Sequence, residues 1–294
     1  MDLTWLDEID PALLREFLRA VRAADGRPRV DPDAALPHEF RGGRHVVAAD
    51  GDRLLGYGHL DTGGDAFGRQ VAEVLVHPEA RGRGLGTALV AEIRAHAPAD
   101  VRFWAHGDHP GAARIAERLG LSRVRELWQM RMEFGEPLPA PVWPDGVSVR
   151  AFVPGQDEDA VVAVNKRAFD WHPEQGALTA ADVIATEAEA WFDPAGFFLA
   201  VDSADRVLGF HWTKVHPDGT GEVYVVGVDP AAQGGGLGRA LTLAGLAHLR
   251  EQGRRTVILY VESDNAPAVA VYRRLGFTRS DADIQYAAVP PNGA

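Results

Sequence analysis

A strand-like run that leads into a glycine-rich loop occurs twice in the chain and restricts its fold more than any other feature. Residues 221–238 read GEVYVVGVDPAAQGGGLG, a run rich in β-branched residues followed by a proline and a cluster of glycines. Apolar residues at helical spacing follow over 239–250. Residues 71–86 read VAEVLVHPEARGRGLG, and aligning Pro78 with Pro230 aligns the two loops without a gap. The repeat predicts a duplicated domain.

The predicted order of strand, glycine loop and helix start is typical of a phosphate site. The first N–H groups of a helix have no partner within it, and the helix dipole is positive at that end. Such a site binds phosphate oxygens without lysine side chains. A P-loop is excluded because Gly238 is followed by Arg239 and Ala240 rather than by Lys and Ser or Thr. The spacing also does not fit the G-x-G-x-x-G loop of dinucleotide-binding folds.

Both loops resemble the pyrophosphate-binding motif of the GCN5-related N-acetyltransferases, which is Gln/Arg-x-x-Gly-x-Gly/Ala after a V-x-P strand end. The resemblance covers nearly the whole chain, and it implies two tandem domains of that fold and acetyl-CoA as co-substrate. In the second half it assigns coenzyme contacts to Val226, Gly227, Val228, Gln233, Gly234, Gly235, Gly236, Leu237, Gly238, Arg239, Asn265, Ala266, Pro267, Ala268, Val269 and Ala270. In the first half it assigns them to Val74, Leu75, Val76, Gly82, Arg83, Gly84, Leu85, Gly86 and Thr87.

The order of predicted elements supports two domains of one class. Residues 1–24 have the pattern of an entry helix, and strand and helix patterns then follow in the same order in both halves. Each half is therefore predicted to be an α/β domain, a mixed sheet with helices on both faces. A proline-rich stretch without periodicity separates the halves. We predict an N-terminal domain at 1–138, a linker at 139–146 and a C-terminal domain at 147–294.

Composition excludes several classes of function. The chain has 294 residues, is 46% hydrophobic and lacks a long apolar run or a signal-peptide pattern, so we expect a cytoplasmic protein with no membrane partner. It has no cysteine, which excludes disulfides, thiolate zinc sites and a cysteine nucleophile, and we expect no metal. Its net charge of −12 argues against nucleic acid as a partner and suits a cationic substrate. Because two tandem halves can satisfy the pairing of dimeric relatives, we expect a monomer.

Acetyl transfer from a thioester to an amine needs a base, a hydrogen-bond donor to the carbonyl and an acid for the departing thiolate. Glu222, at the start of the central strand, is the candidate base, acting directly or through water. Backbone N–H groups at 226–228 would polarise the carbonyl if the strand splays there. Tyr272 stands in Asn265-x-x-Ala268-x-x-x-Tyr272, which resembles the second motif of the family, and this resemblance implies that it is the general acid.

The first half lacks both catalytic side chains. Counting back from the prolines, Gln70 stands at the position of Glu222, and glutamine is not a base near neutral pH. Ala116 stands opposite Tyr272 and His109 stands opposite Asn265, and alanine donates no proton. We therefore predict that the first half binds coenzyme but is catalytically inactive.

Three polar stretches are specific to the second half: HPEQG at 172–176, HWTKVHP at 211–217 and LYVESDN at 259–265. Together with the tandem loops they resemble the mycothiol synthase family. That resemblance implies acetylation of the cysteinyl amine of 1D-myo-inositol 2-(L-cysteinylamino)-2-deoxy-alpha-D-glucopyranoside, the last step of mycothiol biosynthesis. The histidines of these stretches lack metal-ligand spacing, and we interpret them as packing or turn residues: His172, His211 and His216.

The same resemblance implies which side chains contact the sugar–cysteine substrate. In the second half they are Glu174, Lys214, Glu222 and Tyr260. An acidic residue of the N-terminal loop joins them, either Asp31 or Asp33, and we favour Asp33 because its local sequence DAAL fits the family better. Carboxylates and a lysine suit a ligand with many hydroxyl groups and one ammonium.

Two other functions are compatible with the fold. One is an acetyltransferase of the same fold that acts on another small amine, such as an aminoglycoside, or on a protein N-terminus. The other is a non-catalytic acetyl-CoA sensor in which both halves only bind. The joint presence of Glu222 and Tyr272 argues against the sensor, and the polar loops argue against a protein substrate, which would favour an open groove.

Overall fold

The computed structural model describes residues 2–26, 40, 42–173 and 175–288. The chain forms two units, one of Met1–Leu127 with Asp281–Ala294 and one of Trp128–Ser280. Each unit is a mixed α/β structure, which confirms the predicted fold class.

The division between the units differs from the predicted boundary at 139–146. Two buried residues just after the first unit, Met130 and Met132, pack in one core with Leu246 and Phe277 of the second unit. The last strand of the chain pairs instead with a strand of the first unit, for example Ile284 with Ala105. The second unit thus includes the end of the strand Ser122–Glu133, from Trp128 on, and the first unit includes the end of the last strand, from Asp281 on. A local sequence pattern cannot predict such an exchange of strand segments.

The first unit begins with a strand rather than with the predicted entry helix. Its elements are β1 (Thr4–Leu6), α1 (Pro11–Asp25), β2 (Arg44–Asp50), β3 (Arg53–Asp61), β4 (Val71–Val76), α2 (Leu85–His96), β5 (Arg102–Ala105), α3 (Pro110–Arg118) and the start of β6 (Ser122–Glu133). Helix α1 starts only after Asp10, whose side chain accepts from the N–H of Ala12 at 2.8 Å. Residues 4–6 pair with β2 instead, so the helix prediction is wrong for residues 2–10.

The second unit repeats the order of the first. Its elements after β6 are β7 (Ser148–Ala151), α4 (Glu158–Ala168), α5 (Ala180–Glu187), β8 (Phe197–Val201), β9 (Val207–Val215), β10 (Gly221–Val228), α6 (Leu237–Glu251), β11 (Thr256–Glu262), α7 (Ala266–Arg274) and the start of β12 (Thr278–Ala287). Strand β10 pairs antiparallel with β9 and parallel with β11, as β4 pairs antiparallel with β3 and parallel with β5. The predicted duplication is therefore present in the sheet topology.

The central strands of the two units differ by one bulge. Strand β4 runs in one register along β3 from Val71 to Val76. Strand β10 changes register against β9 between Val223 and Val225, so Tyr224 is an extra residue. A bulge bends the strand and interrupts the ladder, and bulges of this kind are frequent next to functional sites. Only the second unit has this irregularity in its central strand.

Parallel pairing ends early in both central strands. Strand β10 pairs with β11 at Gly221, Glu222 and Val223, and the pairing stops there. The N–H groups that point toward β11 at 226–228 consequently have no strand partner on that side. Strand β10 thus separates from β11 after Val223, which is the splay that the carbonyl-polarising role would require.

Helix α6 packs on this sheet through leucines and a close approach at a glycine. The buried leucines Leu243, Leu246 and Leu249 lie in one core with Val223 of β10. The His211 ring of β9 is buried, and its Nδ1 donates to the Leu241 carbonyl at 2.8 Å. Burial lowers the pKa of His211 to about 4, so the ring is neutral at physiological pH.

No helix within the described ranges is both long enough and apolar enough to cross a lipid bilayer.

The close contact between α6 and β9 predicts that adding one methyl group at Gly245 strongly lowers the stability of the fold. A Cβ at Gly245 would overlap the His211 ring, which is packed and cannot move freely. Gly245→Ala should lower the free energy of unfolding by about 1–3 kcal/mol, as overpacking of a core does. The matched control is Gly135→Ala, where a Cβ meets nothing within 4 Å. Calorimetric unfolding of both variants checks this, and equal transitions would contradict the packing argument.

Candidate functional site

The two glycine loops have the same local geometry. The side chain that opens each loop bonds the end of the preceding strand: Gln233 Nε2 donates to the Val228 carbonyl at 3.2 Å, and Arg81 Nε donates to the Val76 carbonyl at 3.0 Å. Each helix then starts at a glycine with positive φ, 82° at Gly236 and 86° at Gly84. A residue with a Cβ adopts this conformation only with strain.

Neither loop helix is capped by a side chain. Asp10, His109, Thr179 and Asn265 cap the helices α1, α3, α5 and α7 with a side-chain acceptor. The caps of α2 and α6 are glycines that supply none, and the space beside both glycines is open to 4 Å. The free N–H groups and the positive dipole end thus point toward space that an anion can fill.

A cavity of about 550 Å³ lies in the first unit along its glycine loop. It is lined by Val74, Leu75 and Val76 of β4 and by the loop residues Gly82, Gly84, Leu85, Gly86 and Thr87. These are the first-half residues assigned above to the coenzyme, except Arg83. The cavity also contacts Ala116, which occupies the position of Tyr272 and brings no hydroxyl group.

The wall of this cavity carries a charged cluster that the sequence analysis missed. His106 Nε2 lies 2.9 Å from Glu73 Oε2, and its Nδ1 lies 3.4 Å from Asp283 Oδ2. Burial lowers the pKa of His106, but the two carboxylates outweigh burial and hold it well above its usual value. The protonated ring therefore ties β4 and β5 to β12. No sequence pattern could reveal this cluster, because Asp283 comes from the far end of the chain.

Glu222 is a nearly buried carboxylate in the second unit. Its side chain lies on β10, where its Cα pairs with Lys214 of β9 and with Ile258 of β11. The residue is 5% exposed, and Oε2 lies 2.6 Å from Nε2 of His216. A carboxylate with so little exposure and a defined partner is a candidate proton acceptor.

Lys214 is held between two aromatic rings. Its Nζ lies 4.5 Å from the centre of the Trp191 ring and 5.1 Å from that of Tyr224. Burial, followed by the nearby carboxylates Glu222 and Glu189, raises the pKa of Tyr224, so this phenol stays protonated. The cation–π contacts fix the ammonium beside Glu222 without forming an ion pair with it.

Tyr260 follows Ile258 on the same face of β11 and is half exposed. Its hydroxyl accepts from Gln129 Nε2 at 2.8 Å. Strand alternation therefore brings Glu222, Lys214 and Tyr260 to one face, whereas Val223 and Leu259 face the helices α6 and α7. The structure thus brings together three of the five predicted substrate contacts. Glu174 and Asp33, with the alternative Asp31, lie outside the described residues.

Tyr272 and Asn265 occupy the positions that the second motif requires on α7. Asn265 caps this helix by accepting from the N–H of Ala268 at 3.2 Å. Tyr272 packs near Phe277, with ring centres 5.9 Å apart. Burial raises the pKa of Tyr272 to about 12, so the hydroxyl keeps its proton at neutral pH. In the first unit His109 caps α3 in the same way, which supports the pairing of Ala116 with Tyr272.

The first-unit position that matches Glu222 needs a correction. Because Tyr224 is an extra residue in β10, counting back from the prolines is off by one on the far side of the bulge. Glu222 pairs with Lys214 where Val71 pairs with Asp61, so Val71 and not Gln70 is the structural counterpart. Valine carries no ionisable group, and the first unit still lacks a base at this position.

The three histidines of the polar stretches have different surroundings. His211 is a packing residue, as expected. His172 Nδ1 accepts from the N–H of Gln175 at 3.0 Å, and its Nε2 lies 3.7 Å from Glu262. His216 contacts Glu222 and was not recognised as a site residue. The signal was present in the sequence, since a histidine just before a hairpin turn lies close to the first residues of the next strand.

Among the residues that the structure describes, no cluster of three or more His, Asp or Glu side chains could hold a metal ion.

Comparisons with known proteins give a consistent result. A sequence profile of the Acetyltransferase (GNAT) family matches residues 10–121 and 163–277. The chain is 56% identical to the "Mycothiol acetyltransferase" of Saccharomonospora viridis over 97% of this chain and 98% of the relative. It is 57% identical to the protein of the same name from Amycolatopsis mediterranei, over 97% and 98%.

Solved structures show the same architecture. A GCN5-related N-acetyltransferase from Sphaerobacter thermophilus matches with a TM-score of 0.72 and 27% identity, covering 97% of this chain and 94% of that one. A tandem GNAT protein of the clavulanic acid biosynthesis pathway matches with a TM-score of 0.71 and 23% identity, covering 99% and 100%. The second match supports the tandem fold alone.

The paired loops allow one substitution to be tested in two equivalent places. Gly236→Val and Gly84→Val place the same side chain at the same positive φ, so their backbone strain is alike. Each should weaken coenzyme binding in its own unit, because the side chain blocks the approach of phosphate to the N–H groups. Calorimetric titration with acetyl-CoA should show two sites in the wild type and one in each variant.

The two variants should differ in turnover. Acetyl transfer should fall far more in Gly236→Val than in Gly84→Val, since only the second unit has a candidate base and acid. Equal losses in two folded variants would contradict the division into an active and an inactive unit.

Proposed function

The chain belongs to the acetyltransferase (GNAT) family, and from that premise we propose that it acetylates the cysteinyl amine of 1D-myo-inositol 2-(L-cysteinylamino)-2-deoxy-α-D-glucopyranoside, the last step of mycothiol biosynthesis. The observation that carries the proposal is the identity of 56–57% with mycothiol acetyltransferases along 97% of the chain. The donor is acetyl-CoA, which the family uses, and the protein acts as a monomer.

The second unit is the proposed catalytic unit. Its glycine loop offers free N–H groups at the start of α6 for the pyrophosphate of the coenzyme. The cleft where β10 leaves β11 offers further N–H groups at 226–228, which would donate to the thioester carbonyl. The bulge at Tyr224 supports this placement, because it bends the strand at the point where the acetyl group would lie.

Glu222 is the proposed general base. The substrate amine reaches the enzyme mainly as an ammonium ion and must lose a proton before its nitrogen attacks. Glu222 is nearly buried, and a carboxylate in such surroundings interacts more strongly with a cation than it would in water. Lys214 and Tyr260 on the same face would donate hydrogen bonds to hydroxyl oxygens of the sugar and the inositol. Asp33 and Glu174 complete the proposed substrate contacts.

Tyr272 is the proposed general acid. The leaving group is the thiolate of the coenzyme. The Tyr272 phenol is protonated at neutral pH, so it can donate a hydrogen bond to the sulfur while the C–S bond breaks and then supply the proton. The proton that Tyr272 loses must then be recovered from solvent.

The first unit is proposed to bind acetyl-CoA without transferring its acetyl group. Its cavity and glycine loop fit a coenzyme, as the open space beside Gly82 and Gly84 indicates. Its central strand has no bulge, and Val71 and Ala116 replace the base and the acid. The same scaffold thus supports binding but supplies neither proton transfer.

The substrate assignment predicts a strong preference among amines. In an assay of coenzyme release, the cysteinyl pseudodisaccharide should exceed an aminoglycoside and an N-terminal peptide in kcat/KM by about 100-fold or more, because the site offers polar groups that only the first can satisfy. The N-acetylated pseudodisaccharide, which lacks the free amine, is the control. Faster turnover of an aminoglycoside would identify the protein as an acetyltransferase of the same fold with a different substrate. If none of these amines caused release of coenzyme, a non-catalytic sensor would be favoured.

The base assignment predicts a loss confined to the chemical step. Glu222→Gln keeps the shape of the side chain but removes its basicity, and kcat should fall by about 10²–10⁴-fold. Binding of acetyl-CoA should hardly change, since Glu222 is not on the glycine loop. Glu251→Gln, at the exposed end of α6, is the control for a charge change in the same unit. A near-normal kcat in Glu222→Gln would require another base.

A further inference from the structure

The carboxylate of Glu222 has one side-chain partner that no motif assigns. His216 Nε2 lies 2.6 Å from Glu222 Oε2, and the two side chains are 18% and 7% exposed. The distance is that of a short charge-assisted hydrogen bond. The contact occupies one carboxylate oxygen and leaves Oε1 for another partner.

The hairpin between β9 and β10 holds His216 in place. Its N–H donates to the Thr220 carbonyl at 2.9 Å, and the Gly219 N–H donates to the His216 carbonyl at 2.8 Å. Asp218 Oδ1 accepts from the N–H of Thr220 at 2.9 Å, and Gly219 takes a φ of 82° that favours glycine. The ring therefore projects from a closed turn, and little conformational freedom is lost when it contacts Glu222.

The cation nearest in the sheet does not compete for this carboxylate. Lys214 pairs with Glu222 across the strands, but its ammonium lies over the Trp191 and Tyr224 rings. It forms no ion pair with Glu222 within the described part of the chain. The other groups that face the carboxylate are the Tyr224 phenol on its own strand and the apolar Ile258 of β11. His216 is thus the side chain that donates a hydrogen bond to Glu222, since Lys214 is held by the aromatic rings and Ile258 has no donor.

We propose, building on the function proposed above, that His216 is a positioning residue for the base: its Nε2–H donates to Glu222 Oε2 and aims Oε1 at the substrate ammonium. One proton moves in the step, from the substrate nitrogen to Oε1, and His216 keeps its own. A base held in one orientation need not be ordered when the amine arrives, and this contributes to the rate.

Removing the donor should reduce the rate through Glu222. His216→Leu should lower kcat by about 10- to 100-fold, as expected when a hydrogen bond to a charged group is lost, and leave the KM for acetyl-CoA unchanged. His216→Gln, whose amide can donate from a similar position, should recover part of the loss. The control is His248→Leu, another partly buried histidine beside a carboxylate, Asp193 at 3.3 Å, which should reduce stability but not kcat.

A double-mutant cycle separates positioning from a structural role. In the Glu222→Gln background, His216→Leu should change kcat by less than about 2-fold, because the group it orients is gone. Equal effects of His216→Leu in both backgrounds would overturn the proposal. The cycle can be run with any amine that the wild type acetylates, so failure of the pseudodisaccharide as substrate would contradict the proposed function and leave this test intact.

A measurement of protonation on the folded wild type does not depend on activity. The ¹⁵N chemical shifts of labelled histidine show which ring nitrogen carries the proton. At neutral pH the Nε2 of His216 should carry a proton, and its signal should move in Glu222→Gln. An unprotonated Nε2 in the wild type would overturn the proposal outright, because the ring could then not donate to the carboxylate.

Discussion

The central strand β10 pairs with β9 over a longer stretch than it pairs with β11, and the candidate site depends on this difference in pairing length. It remains paired with β9 up to Val228, whereas it leaves β11 after Val223. Backbone N–H groups on the β11 side are consequently free, and the chain continues directly into the glycine loop and α6. The unpaired strand edge and the uncapped helix start thus leave backbone N–H groups without a partner in two successive stretches of the chain.

The bulge at Tyr224 acts together with this early end of pairing. It moves the residues before it by one position, so that Glu222 lies opposite Lys214 and close to the hairpin that carries His216. Tyr224 also forms one of the two aromatic contacts of the Lys214 ammonium. One extra residue in a strand thus determines which side chains meet at Glu222. The first unit has a regular strand and places Val71 there.

The two units show that the scaffold and the chemistry are separate properties of this fold. Both keep the loop contact to the strand end, the glycine with positive φ and the side-chain cap of the helix that follows the next strand. These features depend on backbone geometry. The proposed proton-transfer groups, Glu222 and Tyr272, are single side chains on that backbone, and Val71 and Ala116 stand at the matching positions of the first unit. The first unit has the His106 cluster, whose charged groups connect β4 with β12.

Local chemistry made a large part of this structure predictable. Strand periodicity, the proline stops and the glycine loops each act over a few residues, and the predicted family and fold class are confirmed. The site assignments remain predictions, although the structure places Glu222, Lys214 and Tyr260 on one face. What the sequence alone determined is therefore the set of elements, their duplication and the chemical character of the loops.

Tertiary structure decided which residues meet across long separations. The exchange of strand segments between the two units, the contact of His106 with Asp283 and the register change in β10 each depend on which strands pair and where the pairing shifts. The contact of His216 with Glu222 follows from that register and from the turn between them. Pairing of this kind is set by the packing of whole sheets, and a shift of one residue changes every partner while the local sequence signals stay the same.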